Sequence, residues 1–123
     1  MPALILVVDD SVDALDAAER FLAHKGIEVV TMSRVFGVTS LILRRTPDVI
    51  VLDVMMPGMD GSSLACIIRN HVPKTTPIIF YSAVQEERGR SLLAQHAGAR
   101  FVSKAHGVMA LYRAVQDALK RAG

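Results

Sequence analysis

The chain has 123 residues, of which 51% are hydrophobic and 21% are charged, so it can build the core of one domain and is neither disordered nor large enough for two. The formal net charge of +2 is too small to indicate direct nucleic-acid binding, which requires clustered lysine and arginine. The single Cys66 excludes an internal disulfide framework, no apolar run could span a membrane, and Met1-Pro2-Ala3 does not begin a secretory signal, so we expect a cytoplasmic protein.

Five short apolar runs along the chain are expected to form β-strands. Several are apolar at consecutive rather than alternate positions, which is typical of strands covered on both faces in a parallel sheet. The runs are Ala3–Val8, Val29–Met32, Val49–Leu52, Ile78–Tyr81 and Phe101–Val102.

The segments between these runs have the spacing of amphipathic helices. Three apolar stripes are formed by Leu15, Ala18 and Leu22, by Leu64, Ile67 and Ile68, and by Val108, Leu111, Val115 and Leu119. Helices are also expected over Val38–Arg45 and Gln85–His96, with turn signals at Gly26, Pro47-Asp48 and Gly98.

The resulting order is a strand followed by a helix, repeated five times. Right-handed crossovers then produce an α/β fold, a doubly wound, five-stranded parallel sheet with helices on both faces. Because no linker interrupts the pattern and only Lys120–Gly123 follow the last apolar stripe, we expect one domain over residues 1–123 and no output domain.

Polar residues follow four of the predicted strands. In a doubly wound sheet, ligands bind beyond the carboxyl ends of the strands, so these residues are expected to share one site. They are Asp9-Asp10 after the first strand, Asp53 after the third, Ser82-Ala83 after the fourth and Ser103-Lys104 after the fifth.

Three carboxylates at one edge repel one another unless a cation lies between them. Mg²⁺ prefers one or two carboxylates together with waters and phosphate oxygens. We therefore predict a magnesium site in which Asp10 and Asp53 are direct ligands and Asp9 binds directly or through water. The backbone carbonyl of Met55 is expected to complete the set.

The same residues suit phosphoryl transfer to Asp53. A carboxylate oxygen can attack phosphorus, and the transferred group carries negative charge on three equatorial oxygens. Mg²⁺ would neutralise one of these oxygens and Lys104 another. The Ser82 hydroxyl and nearby backbone N–H groups, including that of Ala83, would stabilise the third.

Four motifs in the chain resemble the receiver domains of two-component response regulators, the CheY-like superfamily. The most specific is the stretch from Asp53 to Gly61, and the resemblance covers the whole chain. The motifs are Val7-Val8-Asp9-Asp10-Ser11, Asp53-Val54-Met55-Met56-Pro57-Gly58-Met59-Asp60-Gly61, Tyr81-Ser82-Ala83 and Phe101-Val102-Ser103-Lys104-Ala105.

The resemblance implies a flavodoxin-like strand order of 2-1-3-4-5 and Mg²⁺-dependent phosphorylation of Asp53 by a histidine kinase or a histidine phosphotransfer protein. It also implies a switch in which Ser82 moves to the phosphate and Phe101 turns inward. The surface of the fourth helix, fifth strand and fifth helix would then change for a downstream effector protein.

Three features depart from the family pattern. Ala105 stands where the family usually has proline, often after a cis peptide bond, and Phe101 lacks the hydroxyl group of a tyrosine. Met55 and Val84 occupy positions that are often polar in the family. We expect these two apolar side chains to hinder the attacking water and slow the loss of the phosphoryl group.

Other functions are weaker interpretations of the same residues. A degenerate receiver that binds partners without phosphorylation is disfavoured by the intact acidic set, although Ala105 keeps it open. An aspartate-dependent phosphatase would have a second carboxylate two residues after Asp53, where this chain has Met55, so we expect no enzymatic turnover of an external substrate. No G-x-G-x-x-G follows the first strand, which disfavours dinucleotide binding, and a DNA-binding regulator would need a second domain.

Overall fold

A computed structural model describes residues 2–122 of the chain. Met1 and Gly123 lie outside the described residues. The predictions about the two ends of the chain rest partly on these two residues. The elements alternate as predicted: β1 (Leu4–Val8), α1 (Val12–His24), β2 (Glu28–Met32), α2 (Val38–Arg45), β3 (Val49–Leu52), α3 (Gly61–Arg69), β4 (Ile78–Ser82), α4 (Glu86–Gln95), β5 (Arg100–Ser103) and α5 (Gly107–Ala122), with a 3₁₀ turn over Lys104–His106.

The five strands form one parallel sheet in the order β2-β1-β3-β4-β5. This confirms the predicted doubly wound, flavodoxin-like α/β fold. Every residue of β1, β3 and β4 is buried, which explains why these strands are apolar at consecutive positions. Among the described residues, no helix combines the length and apolar character that crossing a membrane requires.

Successive side chains of the central strands enter two separate cores. One core contains Leu6, Ile50 and Phe80 and is covered by α2, α3 and α4. The other contains Ile5 and Val51 and is covered by α1 and α5. The two cores fix both faces of the sheet, so the ends of its strands are held in a defined register.

One predicted stripe is partly wrong. The sequence placed Leu64, Ile67 and Ile68 on the buried face of α3, but Ile67 is 36% exposed and Ala65 is buried in its place. The buried residues Leu64, Ala65 and Ile68 follow an equally good helical spacing, and the small Ala65 side chain lets the helix approach the sheet closely.

A histidine links the end of α4 to α3. His96 caps α4, and its Nε2 atom lies 2.8 Å from the Ser62 hydroxyl oxygen on α3. Its ring centroid lies 5.3 Å from that of Phe80 in the core. Burial lowers the pKa of His96, and the positive charge of Arg69 lowers this pKa further.

This histidine should make the stability of the protein depend on pH. Because the folded state holds the pKa of His96 below its ordinary value of 6.5, the stabilising contribution is complete above pH 6.5 and is lost as pH falls through the lowered pKa. Urea unfolding at a series of pH values should therefore show a steeper loss below pH 6.5 for the wild type than for His96→Gln. The exposed His71, replaced by glutamine, is the control and should leave the slope unchanged.

Candidate functional site

The structure brings the three predicted acidic residues together at the carboxyl edge of the sheet. Asp9 and Asp10 follow β1, and Asp53 follows the adjacent β3, where Val8 pairs with Leu52. Carboxylate oxygens of the three residues all lie within 4.8 Å of one another. Asp9 and Asp53 are buried, whereas Asp10 is exposed, so the cluster opens to solvent on the Asp10 side.

Lys104 reaches the same cluster from the end of β5. Its Nζ atom lies 2.6 Å from Asp9 Oδ2 and 3.4 Å from Asp53 Oδ2. Lys104 begins the 3₁₀ turn, and the hydroxyl of the preceding Ser103 accepts a hydrogen bond of 3.1 Å from the Ala105 N–H. No cis peptide bond occurs between residues 2 and 122, so the Lys104–Ala105 bond is trans. Ala105 therefore does not prevent the ammonium group from reaching the site.

The electrostatics of the cluster reflect two buried carboxylates that share one ammonium group. Burial raises the pKa of Asp9, and the charge of Asp53 raises it further, against the lowering effect of the hydrogen bonds from Lys104 and the Ser11 N–H. Burial alone would lower the pKa of Lys104, but its contacts with Asp9 and Asp53 raise this pKa overall. The cluster therefore carries an excess of negative charge that a divalent cation would neutralise.

Backbone groups orient two of the carboxylates. The Ser11 N–H donates to Asp9 Oδ1 at 2.9 Å, and the Met55 N–H points to Asp53 Oδ1 at 3.4 Å. The Met55 side chain is 65% exposed. The contribution of the Met55 carbonyl to a metal site stays a prediction.

Gly61 supports the loop that carries Asp53, a role that the sequence did not indicate. Its N–H donates to the carbonyl oxygen of Val54 at 2.8 Å. A Cβ atom at this position would overlap the carbonyl oxygen of Asp53 and lie 2.9 Å from the Cα of Val54. Only glycine therefore allows the start of α3 to lie against the backbone of Asp53.

Ser82 ends β4, between β3 and β5, with its side chain inside the protein. The residue is 1% exposed, and its hydroxyl has no hydrogen-bond partner among the described residues. A buried hydroxyl without a partner costs about 1–3 kcal/mol. Ser82 lies at the same carboxyl edge of the sheet as Asp53, while Ala83, next in the chain, is exposed.

Phe101 is half-buried on β5 and packs against the core beneath α4. Its ring occupies the space beside Gly89 in the middle of α4, where a Cβ atom would lie 2.5 Å from the ring. The contact between α4 and β5 thus depends on glycine at position 89, whose lack of a side chain makes room for the ring. The sequence pattern could not reveal this contact.

The donor set suits a hard divalent cation. Three carboxylates whose oxygens lie within 4.8 Å of one another, one of them exposed, offer the kind of oxygen ligands and open water positions that Mg²⁺ prefers. The neighbouring Lys104 ammonium and the Ser82 hydroxyl, which has no partner between residues 2 and 122, are donors suited to an anion bound beside that cation.

A model of the response regulator receiver domain family matches residues 5–116 of the chain. The chain therefore belongs to the receiver domain family of two-component response regulators. Receiver domains generally bind Mg²⁺ at an acidic pocket and interact with kinases and effector domains, and the cluster of Asp9, Asp10 and Asp53 is consistent with such a pocket.

Longer proteins of several kinds contain a similar domain. The chain is 29% identical over 118 residues to the transcriptional regulatory protein YxdJ of Bacillus subtilis, a match that covers 96% of this chain and 51% of that protein. It is 37% identical over 120 residues to a protein-glutamate methylesterase/protein-glutamine glutaminase of Archaeoglobus fulgidus, which covers 95% of this chain and 34% of that protein. The chain thus spans about half or less of these relatives.

Solved receiver domains have the same architecture. The receiver domain of the Francisella response regulator 1452 superimposes with a TM-score of 0.86 at 28% identity, covering 98% of this chain and 99% of that one. The chemotaxis protein CheY4 of Vibrio cholerae superimposes with a TM-score of 0.84 at 24% identity, covering 97% and 100%, and supports the fold alone.

Proposed function

We propose that residues 1–123 form one cytoplasmic receiver domain that accepts a phosphoryl group on Asp53 and then binds a downstream effector protein. The donor is a phosphohistidine of a histidine kinase or a histidine phosphotransfer protein. The observation that carries this proposal is the buried hydroxyl of Ser82, which has no hydrogen-bond partner in the described part of the chain. It lies at the end of β4, next to the strand β3 that leads to Asp53, which Lys104 contacts. A phosphoryl oxygen on Asp53 would accept hydrogen bonds from both groups.

In the proposed step, an oxygen of Asp53 attacks the phosphorus atom of the donor. The new P–O bond forms as the P–N bond breaks, and the donor imidazole leaves with that electron pair and takes up a proton from solvent. Lys104 neutralises one equatorial oxygen, and the Ser82 hydroxyl and the Ala83 N–H bind another. Mg²⁺, when bound by Asp10, Asp53, the Met55 carbonyl and Asp9 directly or through water, supplies charge neutralisation at the phosphoryl group.

Phosphorylation would be transmitted through Ser82 and Phe101. Movement of Ser82 towards the phosphate vacates space behind it, and Phe101, already half-buried, turns inward. A groove of about 400 Å³ between α4, β5 and α5 includes Phe101, Gly89 and Val102 in its lining, so this movement would change its shape. We assign effector binding to this surface.

A degenerate receiver is the second candidate function. It is favoured by Ala105 alone, and the trans peptide bond at this residue still lets Lys104 reach Asp9 and Asp53. The exposed, apolar Met55 in place of a second carboxylate argues against turnover of an external substrate.

The proposal is tested by incubating the protein with Mg²⁺ and acetyl phosphate and measuring its intact mass. We expect one phosphoryl adduct, stable in acid and labile in alkali, which is absent in Asp53→Asn. Asp60→Asn, a change on the exposed α3 N-cap that preserves capping, is the matched control and should retain the adduct. No adduct on the wild type would indicate a degenerate receiver, and repeated consumption of the donor would indicate a phosphatase.

Two apolar residues should prolong the phosphorylated state. Met55 and Val84 line one open, largely apolar cavity of about 770 Å³ beside Val54, and neither can orient a water molecule for attack on phosphorus. The double variant Met55→Asn, Val84→Gln should therefore lose its phosphoryl group about 3–10-fold faster. Decay is followed by intact mass, with the exposed Met109→Asn on α5 as the control. An unchanged or slower decay would reject this explanation.

A further inference from the structure

We propose that the amino edge of the sheet, opposite Asp53, binds a small polyanion of the diphosphate class. The site is a cavity of about 230 Å³ between the α3–β4 loop, the start of β5 and the end of α5. Four cationic side chains line it, together with Thr75 and Thr76. The cations are Arg69, Lys74, Arg100 and Arg121.

The residues around this cavity account for the net positive charge of the chain. Two of the four cations have a carboxylate partner: Asp117 pairs with Arg100 and lies 3.6 Å from Arg121. Without these five residues, the chain would have 10 basic and 11 acidic residues and a formal net charge of −1, instead of +2. The four cations and Asp117 therefore carry a net charge of +3, which produces a strong positive electrostatic potential in so small a volume.

Arg69 is the most informative of these cations. Its Nη1 atom donates to the carbonyl oxygens of Thr76 at 2.7 Å and Pro73 at 3.2 Å, which hold the guanidinium at the cavity wall. Burial lowers its pKa, and no carboxylate between residues 2 and 122 forms an ion pair with it. A partly desolvated cation without a counter-charge is unfavourable, and a bound anion would remove that cost.

The attraction of cations to the carboxyl ends of helices explains only part of this cluster. The carboxyl ends of α3 and α5 both lie here, and each is equivalent to about −0.5 charge, which favours Arg69 and Arg121. Lys74 lies on the α3–β4 loop and Arg100 on β5, so neither is in the last turn of a helix. With the end of α4, close to the lining residue Gly98, the three helix ends contribute about −1.5, which still leaves a positive excess on the cavity.

The volume limits the size of the anion. Pockets for drug-sized ligands begin at about 300 Å³. A cavity of about 230 Å³ is smaller, and several cations around it match a ligand with more than one charge. A diphosphate, free or carried by a nucleotide whose remaining parts lie outside the cavity, meets both conditions.

The test is a titration of ¹⁵N-labelled protein with pyrophosphate, without Mg²⁺ and at constant ionic strength. We expect saturable shifts of the amide signals of residues 74–76, 78 and 98–100. Lys74→Gln, Arg121→Gln should weaken binding about ten-fold or more, and Asp117→Asn, which removes the competing carboxylate, should strengthen it about three-fold. A parallel titration with ADP distinguishes a nucleotide-borne diphosphate, which gives the same shifts, from a free one, for which ADP gives none.

A matched control removes two positive charges elsewhere. Arg44 and Arg113 are exposed, do not line the cavity and have no ion-pair partner within the described part of the chain. Arg44→Gln, Arg113→Gln should leave the affinity within about two-fold. Shifts that do not saturate, an equal loss in this control, or an Asp117→Asn variant that binds no more tightly would overturn the site.

Discussion

Replacing Gly61 by alanine is expected to lower the free energy of unfolding by about 3 kcal/mol or more. The added Cβ atom would overlap the carbonyl oxygen of Asp53 and lie 2.9 Å from the Cα of Val54. These are backbone atoms, which cannot rotate away as a flexible side chain does. Either α3 moves away from the sheet or the loop that carries Asp53 shifts, so the variant should lose both stability and phosphorylation.

Urea unfolding and the acetyl phosphate assay measure the two effects. Ser63→Ala is the control, since Ser63 is an exposed residue in the first turn of the same helix and its change should alter stability by no more than about 0.5 kcal/mol. A Gly61→Ala variant as stable as the wild type, with an unchanged rate of phosphorylation, would show that the α3–Asp53 approach is not required.

The second large effect concerns Asp9. Because burial and the charge of Asp53 raise its pKa, ionised Asp9 is unfavourable in the folded protein without a metal. Asp9→Asn keeps an oxygen that accepts from Ser11 N–H and leaves Asp53 to pair with Lys104. We expect this variant to be more stable by about 1–2 kcal/mol in the absence of Mg²⁺.

Mg²⁺ should reverse the order. The wild type gains about 1.4 kcal/mol for every ten-fold excess of Mg²⁺ over the dissociation constant, whereas Asp9→Asn should lose most of this gain. Asp13→Asn, an exposed carboxylate in the first turn of α1, should respond to Mg²⁺ as the wild type does. If Asp9→Asn were less stable without Mg²⁺ and gained as much with it, the crowded acidic pocket would be ruled out.

The same carboxyl group sets a pH dependence without metal. An acid with a raised folded-state pKa destabilises the protein when it ionises, so this penalty is absent below the ordinary value of 3.8. The penalty grows as pH rises from 3.8 through the raised pKa and is complete above it. Asp9→Asn should lack this component of the pH profile of metal-free unfolding.

The sequence predicted the central strands because they are covered on both faces. Short runs of consecutive apolar residues such as Val49–Leu52, separated by segments with helical spacing, are typical of strands buried on both faces. The carboxyl-edge rule then placed Asp9, Asp53 and Lys104 together, and the structure confirms this. The resemblance added the particular strand order, which periodicity alone does not specify.

Local patterns could not predict what depends on close approach. Leu64 and Ile68 fit a buried stripe with either Ala65 or Ile67, and only the distance from α3 to the sheet selects Ala65. Gly61 and Gly89 were visible as glycines, but the groups that approach them, the Asp53 backbone and the Phe101 ring, come from other elements. The contact between His96 and Ser62 likewise joins two helices, because these residues are 34 positions apart in the sequence.

The central claim is that the pocket around Asp53 is built to hold a phosphoryl group between Lys104 and Ser82. A crystal structure with Mg²⁺ and beryllofluoride, a stable mimic of that group, tests it most directly. We predict beryllium bound to an Asp53 oxygen, with fluorine atoms within about 3 Å of Lys104 Nζ and Ser82 Oγ. A structure in which Asp53 carries no adduct, or in which Lys104 stays on Asp9 and Ser82 makes no new contact, would contradict the account.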